Sequence, residues 1–191
     1  MKIGYCFTGS FCTLSRSVAC MAELINRGHK IVPIMSERVY TTDTRFALAE
    51  DFRREVEALS GEKIIHTVEA AEPLGPRLPL DLLVVAPCTG NTLSKLANGI
   101  TDSAALMAIK AHLRSDRTVL IALASNDALS QSLAALARLL TRRAVYFVPM
   151  RQDDPGGKPH SLVADFDRLP DCVELAARGE CMRPLFLPPA P

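Results

Sequence analysis

A chain of 191 residues with 48% hydrophobic content builds one full core and is too short for two comfortable ones, so a single domain over 1–191 is expected. Twenty-two basic side chains against 21 acidic ones leave a net charge of +1, with no basic block to suit nucleic acid or an anionic membrane surface. No apolar run approaches the ~20 residues that span a bilayer, and MKIGYCFTGS lacks the h-region and cleavage site of a signal peptide, which points to the cytoplasm.

The first element is a short apolar run over 3–7. A helix follows, with Leu14, Val18, Met21 and Ile25 at i, i+4, i+7 and i+11 and Gly28 as its C-cap. A second run at 30–35 leads into a long excursion, 36–62, which passes through TTDTRF into a charged helix with Phe46, Leu48, Phe52, Val56 and Leu59 as its apolar positions. Further strand-like runs stand at 63–65, 82–86, 119–124 and 145–148. Between the second and third of these, Leu93, Leu96, Ile100, Leu106 and Ile109 are expected to pack behind a polar turn. Residues 127–140 read as a helix with Leu129, Leu133, Leu136 and Leu140 on one face. The segment 150–166, dense in Pro, Gly and charge, is expected to be a surface loop. It begins an extension of about 150–191 that holds a helix at 170–178 and the tail LFLPPAP, expected to fray unless another subunit holds it. Apolar strands alternating with amphipathic helices predict a three-layer α/β sandwich around a Rossmann-like, mainly parallel sheet.

Cys6, Cys12, Cys20, Cys88, Cys172 and Cys181 include no C-x-x-C pair, so neither a zinc site nor a disulfide framework is expected, and the thiols read as small buried hydrophobes. Cys88 stands out because it sits at a strand end beside a polar turn. His29, His66, His112 and His160 are far apart, and no metal is expected. His29 reads as a helix C-terminal residue set against the last carbonyls.

In a doubly wound sheet, ligands bind outside the carboxyl ends of the strands. Thr8-Gly9-Ser10 follows the run at 3–7, Ser36 the run at 30–35, Pro87-Cys88-Thr89-Gly90-Asn91-Thr92 the run at 82–86, and Ser125-Asn126-Asp127 the run at 119–124. Taken singly, each is an ordinary N-cap or turn. Together they put hydroxyls, amides and glycine on one sheet edge, where free backbone N–H groups favour a phosphate-bearing cofactor held mostly by neutral groups. No G-x-G-x-x-G follows the first run, and no Walker A or G-x-S-x-G element occurs, which disfavours a dinucleotide fold of the usual kind, a P-loop ATPase and a serine hydrolase.

Thr8-Gly9-Ser10, Ser36 and the P-x-T-x-N-T-L-x-K-L-A-N-G-I-x-D pattern from Pro87 to Asp102 resemble the flavoproteins that include phosphopantothenoylcysteine decarboxylase and the flavin prenyltransferases. The segments FTGSFCT, TTDTRF, AEPLGPRLPLD, APCTGNTLSKLANGITDSAALMAIKAHLR, SNDALS and QDDPGGKPHSLVAD are similar to the B-subunit family of dipicolinate synthases. The resemblance implies FMN, a homo-oligomer (trimer or dodecamer), and a partner A subunit carrying NADP. It also implies oxidation of a dihydrodipicolinate-type precursor to dipicolinic acid in the mother cell of a sporulating bacterium. It places Gly9, Ser10, Ser36, Thr89, Gly90, Asn91 and Thr92 against the FMN phosphate and ribityl chain, and Asn126 near the flavin ring and a substrate carboxylate. Phe11 is a candidate surface for the ring. The Pro and Met of the decarboxylases' Pro-Ala-Met-Asn motif are absent around Asn126, as is their cysteine-bearing flap, which argues against cysteine decarboxylation.

A dicarboxylate calls for cations. Arg45, Arg151 and Lys158 are the candidates, with Asp153 and Asp154 to orient them or to meet the partner subunit, Gly156-Gly157 to let the loop close as a lid, and His160 as a lower-ranked proton relay. For Arg45 the structural alternative is an exposed pair with Asp43 or Glu50. Two other functional readings stand beside the oxidoreductase subunit: a scaffolding subunit without flavin that presents substrate to the A subunit, and an FMN-dependent decarboxylase or prenyltransferase.

Overall fold

The computed structural model describes residues 1–75 and 77–189. Its strands β1 (Lys2–Phe7), β2 (Lys30–Met35), β3 (Leu82–Cys88) and β4 (Val119–Ser125) are parallel in the order β2-β1-β3-β4. β5 (Val145–Phe147) extends the parallel set beside the first half of β4. The apolar runs are continuous because both faces of the sheet are covered. Alternate residues then divide between two cores. Ile3, Tyr5 and Phe7 of β1, with Leu82, Val84 and Ala86 of β3, face the layer that includes helices α1 (Leu14–Asn26) and α3 (Ala49–Ser60). Cys6, Leu83 and Val85 face the other layer. The short helices α2 (Glu37–Thr41) and α4 (Val68–Ala71) flank the second strand's exit, and α5 (Gly90–Ala97), α6 (Ala104–Leu113) and α7 (Leu133–Leu140) follow β3 and β4. The fold is the expected three-layer sandwich. Gly28, one residue past the C-cap of α1, has φ +85, the left-handed conformation that ends a helix.

Several elements differ from the sequence expectation. The run at 63–65 makes only an isolated parallel bridge, Ile34 to Ile65, in which the Ile65 N–H donates to the Pro33 carbonyl and the Ile65 carbonyl accepts the Met35 N–H. Residues 150–166 are not simply a surface loop. β6 (Met150–Arg151) and β7 (Leu162–Ala164) pair antiparallel, and β7 runs antiparallel to Ala124–Ser125 at the carboxyl end of β4. The intervening strap therefore hangs over the same sheet edge as the four polar turns. Helix α7 begins at Leu133 rather than residue 127, because the carbonyl of Asp127 accepts the N–H groups of Ser130 and Ser132 in a tight turn. Leu133 and Ile100, expected to pack inward, are 46% and 44% exposed. Phe46, Leu48 and Leu59 are exposed as well, while Phe52 and Val56 are buried.

The last helix, α8 (Leu169–Ala177), packs beside α1. His29 differs from its expectation: its Nε2 meets Glu174 of this helix at 2.8 Å. The start of the tail is held by its own chain, since Met150 and residues 185–187 exchange backbone bonds of 2.8 and 2.9 Å; the last two residues of LFLPPAP lie outside the described ones. Cys6, Cys20, Cys88 and Cys172 are buried as expected, but Cys12 and Cys181 are exposed. Burial pushes the Cys88 thiol up to about 12, which leaves it protonated and inert. Among the described residues no helix is long and apolar enough to cross a membrane, and no group of three His, Cys, Asp or Glu is arranged to hold a metal ion.

Candidate functional site

The four polar turns meet in one cleft of about 1310 Å3. Thr8 staples the first turn to the third. Its N–H and hydroxyl both donate to the Pro87 carbonyl, at 3.2 and 2.8 Å, and its Oγ1 accepts the Thr89 N–H at 3.0 Å. Ser10 is fixed by Thr13, whose hydroxyl donates to the Ser10 carbonyl at 2.9 Å. Ser36 hangs from β1 through its N–H on the Phe7 carbonyl at 3.0 Å. Its Oγ is buried and has no hydrogen-bond partner among the described residues, a state that costs about 1–3 kcal/mol unless a ligand supplies the missing bond.

Thr89 is the N-cap of α5. It accepts the Thr92 N–H at 3.1 Å and donates its own hydroxyl proton to Thr92 Oγ1 at 3.0 Å. The Thr92 hydroxyl proton is thereby left for an acceptor in the cleft, and the N–H groups of Gly90 and Asn91 open the helix without intrahelical acceptors. Gly90 is required by close approach. A Cβ there would run into Asp127 Oδ1 and would lie 2.5 Å from Ser125 Oγ and 2.7 Å from Ser132 Oγ. The arrangement is a preformed cradle of neutral donors, the chemistry that suits a phosphoryl and polyol chain.

The charged groups form a different wall. Lys95 pairs with Asp102 at 2.5 Å. Lys158, from the strap, pairs with Asp153 at 3.1 Å, and Ser161 donates to the same carboxylate at 2.5 Å. Partial burial pushes the Asp153 carboxyl up, but the Ser161 and Lys158 hydrogen bonds outweigh it and hold the group below its usual range. The hydrogen bond to Asp153 raises Lys158 in turn. Arg45 lines the cleft and stacks 4.8 Å from the Phe46 ring centroid. The surface pairings considered for it are taken otherwise: Glu50 binds Arg54, and Asp43 accepts the Ala49 N–H. Neither Arg38 nor Arg45 has an ion-pair partner among the described residues.

Gly9, Ser10, Phe11, Ser36, Arg45, Thr89, Gly90, Asn91, Thr92, Asn126 and Lys158 all line this cleft. Arg151 does not. It binds Asp165 at 2.7 Å, where Arg168 is a second partner. Nor do Asp154, Gly156, Gly157 or His160 reach the wall. The Gly157 N–H is held by Asp154 Oδ1 at 2.8 Å, so this pair of glycines lies in a turn bonded to itself rather than a free hinge. Sequence reasoning passed over Arg38, which stands two residues beyond Ser36 with its Cβ near Gly9. It named Asp127 in the turn after 119–124 without giving it a role, and it passed over Ser132. Asp127 was visible directly after Asn126, whereas Ser132 meets it only because the chain turns tightly there.

These features define a flavoprotein-type α/β domain, and the chain belongs to the Flavoprotein family, whose model matches residues 1–165. It is 41% identical over 186 residues to the dipicolinate synthase B subunit of Bacillus subtilis (strain 168), covering 97% of this chain and 93% of that one. The crystal structure of the dipicolinate synthase B subunit from Bacillus halodurans C superposes with a TM-score of 0.90 at 39% identity, over 97% of this chain and 95% of that one. A dodecameric FMN-dependent UbiX-like decarboxylase from Escherichia coli O157:H7 shares the fold, with a TM-score of 0.63 at 24% identity over 78% of this chain and 80% of that one.

Proposed function

We propose that this chain binds FMN in the cradle of Gly9, Ser10, Ser36 and Thr89–Thr92, and acts as the B-type subunit of a dipicolinate synthase. In this reading it oxidises a dihydrodipicolinate-type precursor together with an NADP-carrying A subunit. The observation that carries the reading is the cradle itself, with the unpartnered Ser36 hydroxyl at its edge, in a chain related end to end to B-subunit relatives. Bound FMN would supply a hydride acceptor. The chain's own residues hold and orient. Ser36, Thr92 and the first N–H groups of α5 donate to the phosphate and ribityl oxygens, and Phe11 offers apolar surface at the ring end. Asn126 orients a substrate carboxylate. Arg45 and Arg38, the cleft cations without a carboxylate partner, meet the ligand's negative charge. Lys158 engages the second carboxylate by exchanging Asp153 for it.

The homo-oligomer expected from the resemblance belongs to the same proposal. The Escherichia coli neighbour is dodecameric, and light scattering of the purified chain measures the assembly directly. The test of function is the absorbance spectrum and mass of ligand released from the purified chain, followed by FMN titration and an oxidation assay with the A subunit. Stoichiometric FMN and A-dependent formation of dipicolinic acid are expected. A folded chain that takes up no FMN at saturation removes the flavin reading and leaves the scaffolding one.

A further inference from the structure

Aromatising a dihydro ring removes a hydride and a proton from neighbouring positions. The oxidant accounts for the hydride, and a base must account for the proton. We propose that Asp127 is that base, an inference that rests on the oxidation reading above.

Asp127 lies in the turn after β4, next to Asn126, half-buried on the cleft wall. Its two carboxylate oxygens are treated differently. Oδ1 accepts the Ser125 hydroxyl in a short hydrogen bond and the Ser132 hydroxyl at 3.0 Å, and it lies directly under Gly90. Ser132 is itself 3.4 Å from Ser94 of α5. This oxygen is anchored, and the anchor joins the β4 turn to the start of α5. Oδ2 takes no hydrogen bond among the described residues and is not among the buried unpartnered atoms, so it meets solvent.

The other carboxylates on the wall are poorer bases for this task. Asp102 is bound to Lys95 and Asp153 to Lys158, and a carboxylate on an ammonium gives up that pairing when it takes a proton. Glu37 is exposed on α2, and its carboxylate has no hydrogen-bond or ion-pair partner among the described residues. Asp127 is held by neutral donors on one oxygen and free on the other, the arrangement of an oriented general base.

The carbon–hydrogen bond at one ring position breaks with its electron pair leaving to the oxidant, flavin or nicotinamide, as hydride. The bond at the neighbouring position breaks with its pair staying to form the new ring double bond, and its proton goes to Asp127 Oδ2. The carboxylic acid later releases that proton to solvent.

Asp127→Asn separates base from anchor. The amide oxygen accepts the Ser125 and Ser132 hydroxyls as the carboxylate oxygen does, so the turn persists, but the group no longer accepts a proton. With the A subunit present, kcat is expected to fall at least about 100-fold, while the Kd values for FMN and for dipicolinic acid stay within about threefold of wild type. A variant that keeps its rate within about threefold overturns the proposal. So does one whose FMN affinity falls in step with its rate, since that marks Asp127 as structural only. Failure of the wild-type pair to oxidise the dihydro substrate removes the oxidation reading itself, and the base with it. An active wild type with an unimpaired Asp127→Asn removes the base alone.

Discussion

The wall of the cleft made by the first three βα turns and the wall made by the strap between β6 and β7 are stocked with opposite chemistry. The turns present hydroxyls and backbone N–H groups, and some are left with a bond to make: the Ser36 hydroxyl has no partner, and the Thr92 hydroxyl proton has no acceptor in its own turn. The strap presents charges that are already spent on one another, Lys158 on Asp153. A ligand is received by the first wall without rearrangement. To use the second it has to displace a carboxylate. In the proposed function the neutral wall is therefore the cofactor side, and substrate recognition would fall first to Arg38 and Arg45, which have no ion-pair partner among the described residues.

The most direct way to break this contrast is to spoil the neutral wall's packing. In Gly90→Ala the new methyl would collide with Asp127, Ser125 and Ser132 oxygens that are bonded to one another. Overpacking of this kind costs about 3 kcal/mol at its upper end. Urea unfolding is expected to show that loss together with a loss of FMN binding. An unchanged midpoint would mean that the β4 turn is free to move away, and the wall would not be rigid.

A pH titration tests the layer behind the wall. His112, at the end of α6, is fully buried, and burial lowers its pKa to about 4 despite the bond of its Nε2 to the Thr118 carbonyl at 2.9 Å; Nδ1 has no partner. The folded state holds this ring neutral, while in the unfolded chain it titrates near 6.5. The folded pKa is the lower one, so its contribution is fully present above about 6.5 and is lost as pH falls toward 4. The loss is about 2 kcal/mol by pH 5. Between pH 7 and 5, His112→Gln is expected to lose about 2 kcal/mol less than wild type in parallel urea titrations. Equal losses would show that the ring reaches water.

The neutral wall was legible in the sequence because its chemistry is local. Thr89 caps α5 from one residue away, and the turns at Ser10 and Ser36 follow strands that any apolar run of that length reveals. The strap was not legible, since β6 and β7 are two and three residues long and exist only by pairing with each other and with the end of β4, some forty residues back in the chain. For the same reason Arg151 and Lys158, seven positions apart in one polar segment, looked equivalent. Arg151 is bound to Asp165 and does not line the cleft, whereas Lys158 does. The late start of α7 was hidden because the periodicity of Leu129, Leu133 and Leu136 takes no account of the Asp127 carbonyl, which captures the first N–H groups.

Removing the two hydroxyls that face the cradle probes the neutral wall without touching its packing. Ser10→Ala with Thr92→Val deletes one hydroxyl bonded only to neighbours in its own turn and another whose proton is unclaimed. At about 1 kcal/mol for each neutral hydrogen bond, the FMN Kd should rise about 30-fold, as read by fluorescence quenching, with little change in the thermal midpoint. An unchanged Kd in the folded double variant would assign both hydroxyls to the protein alone.

The smallest effect separates the two kinds of cation. Arg45 has no carboxylate to leave, so a dicarboxylate gains its charge-assisted bond in full. Arg45→Gln is expected to weaken dipicolinic acid binding about tenfold, the low end for a hydrogen bond to a charged group. Lys158 must give up Asp153 before it reaches the same ligand, and the gain is then the difference between two similar ion pairs. Lys158→Gln should change affinity by less than about threefold. The reverse order, with Lys158 dominant, would mean that the strap yields its ion pair readily and that the charged wall, not the neutral one, receives the substrate first.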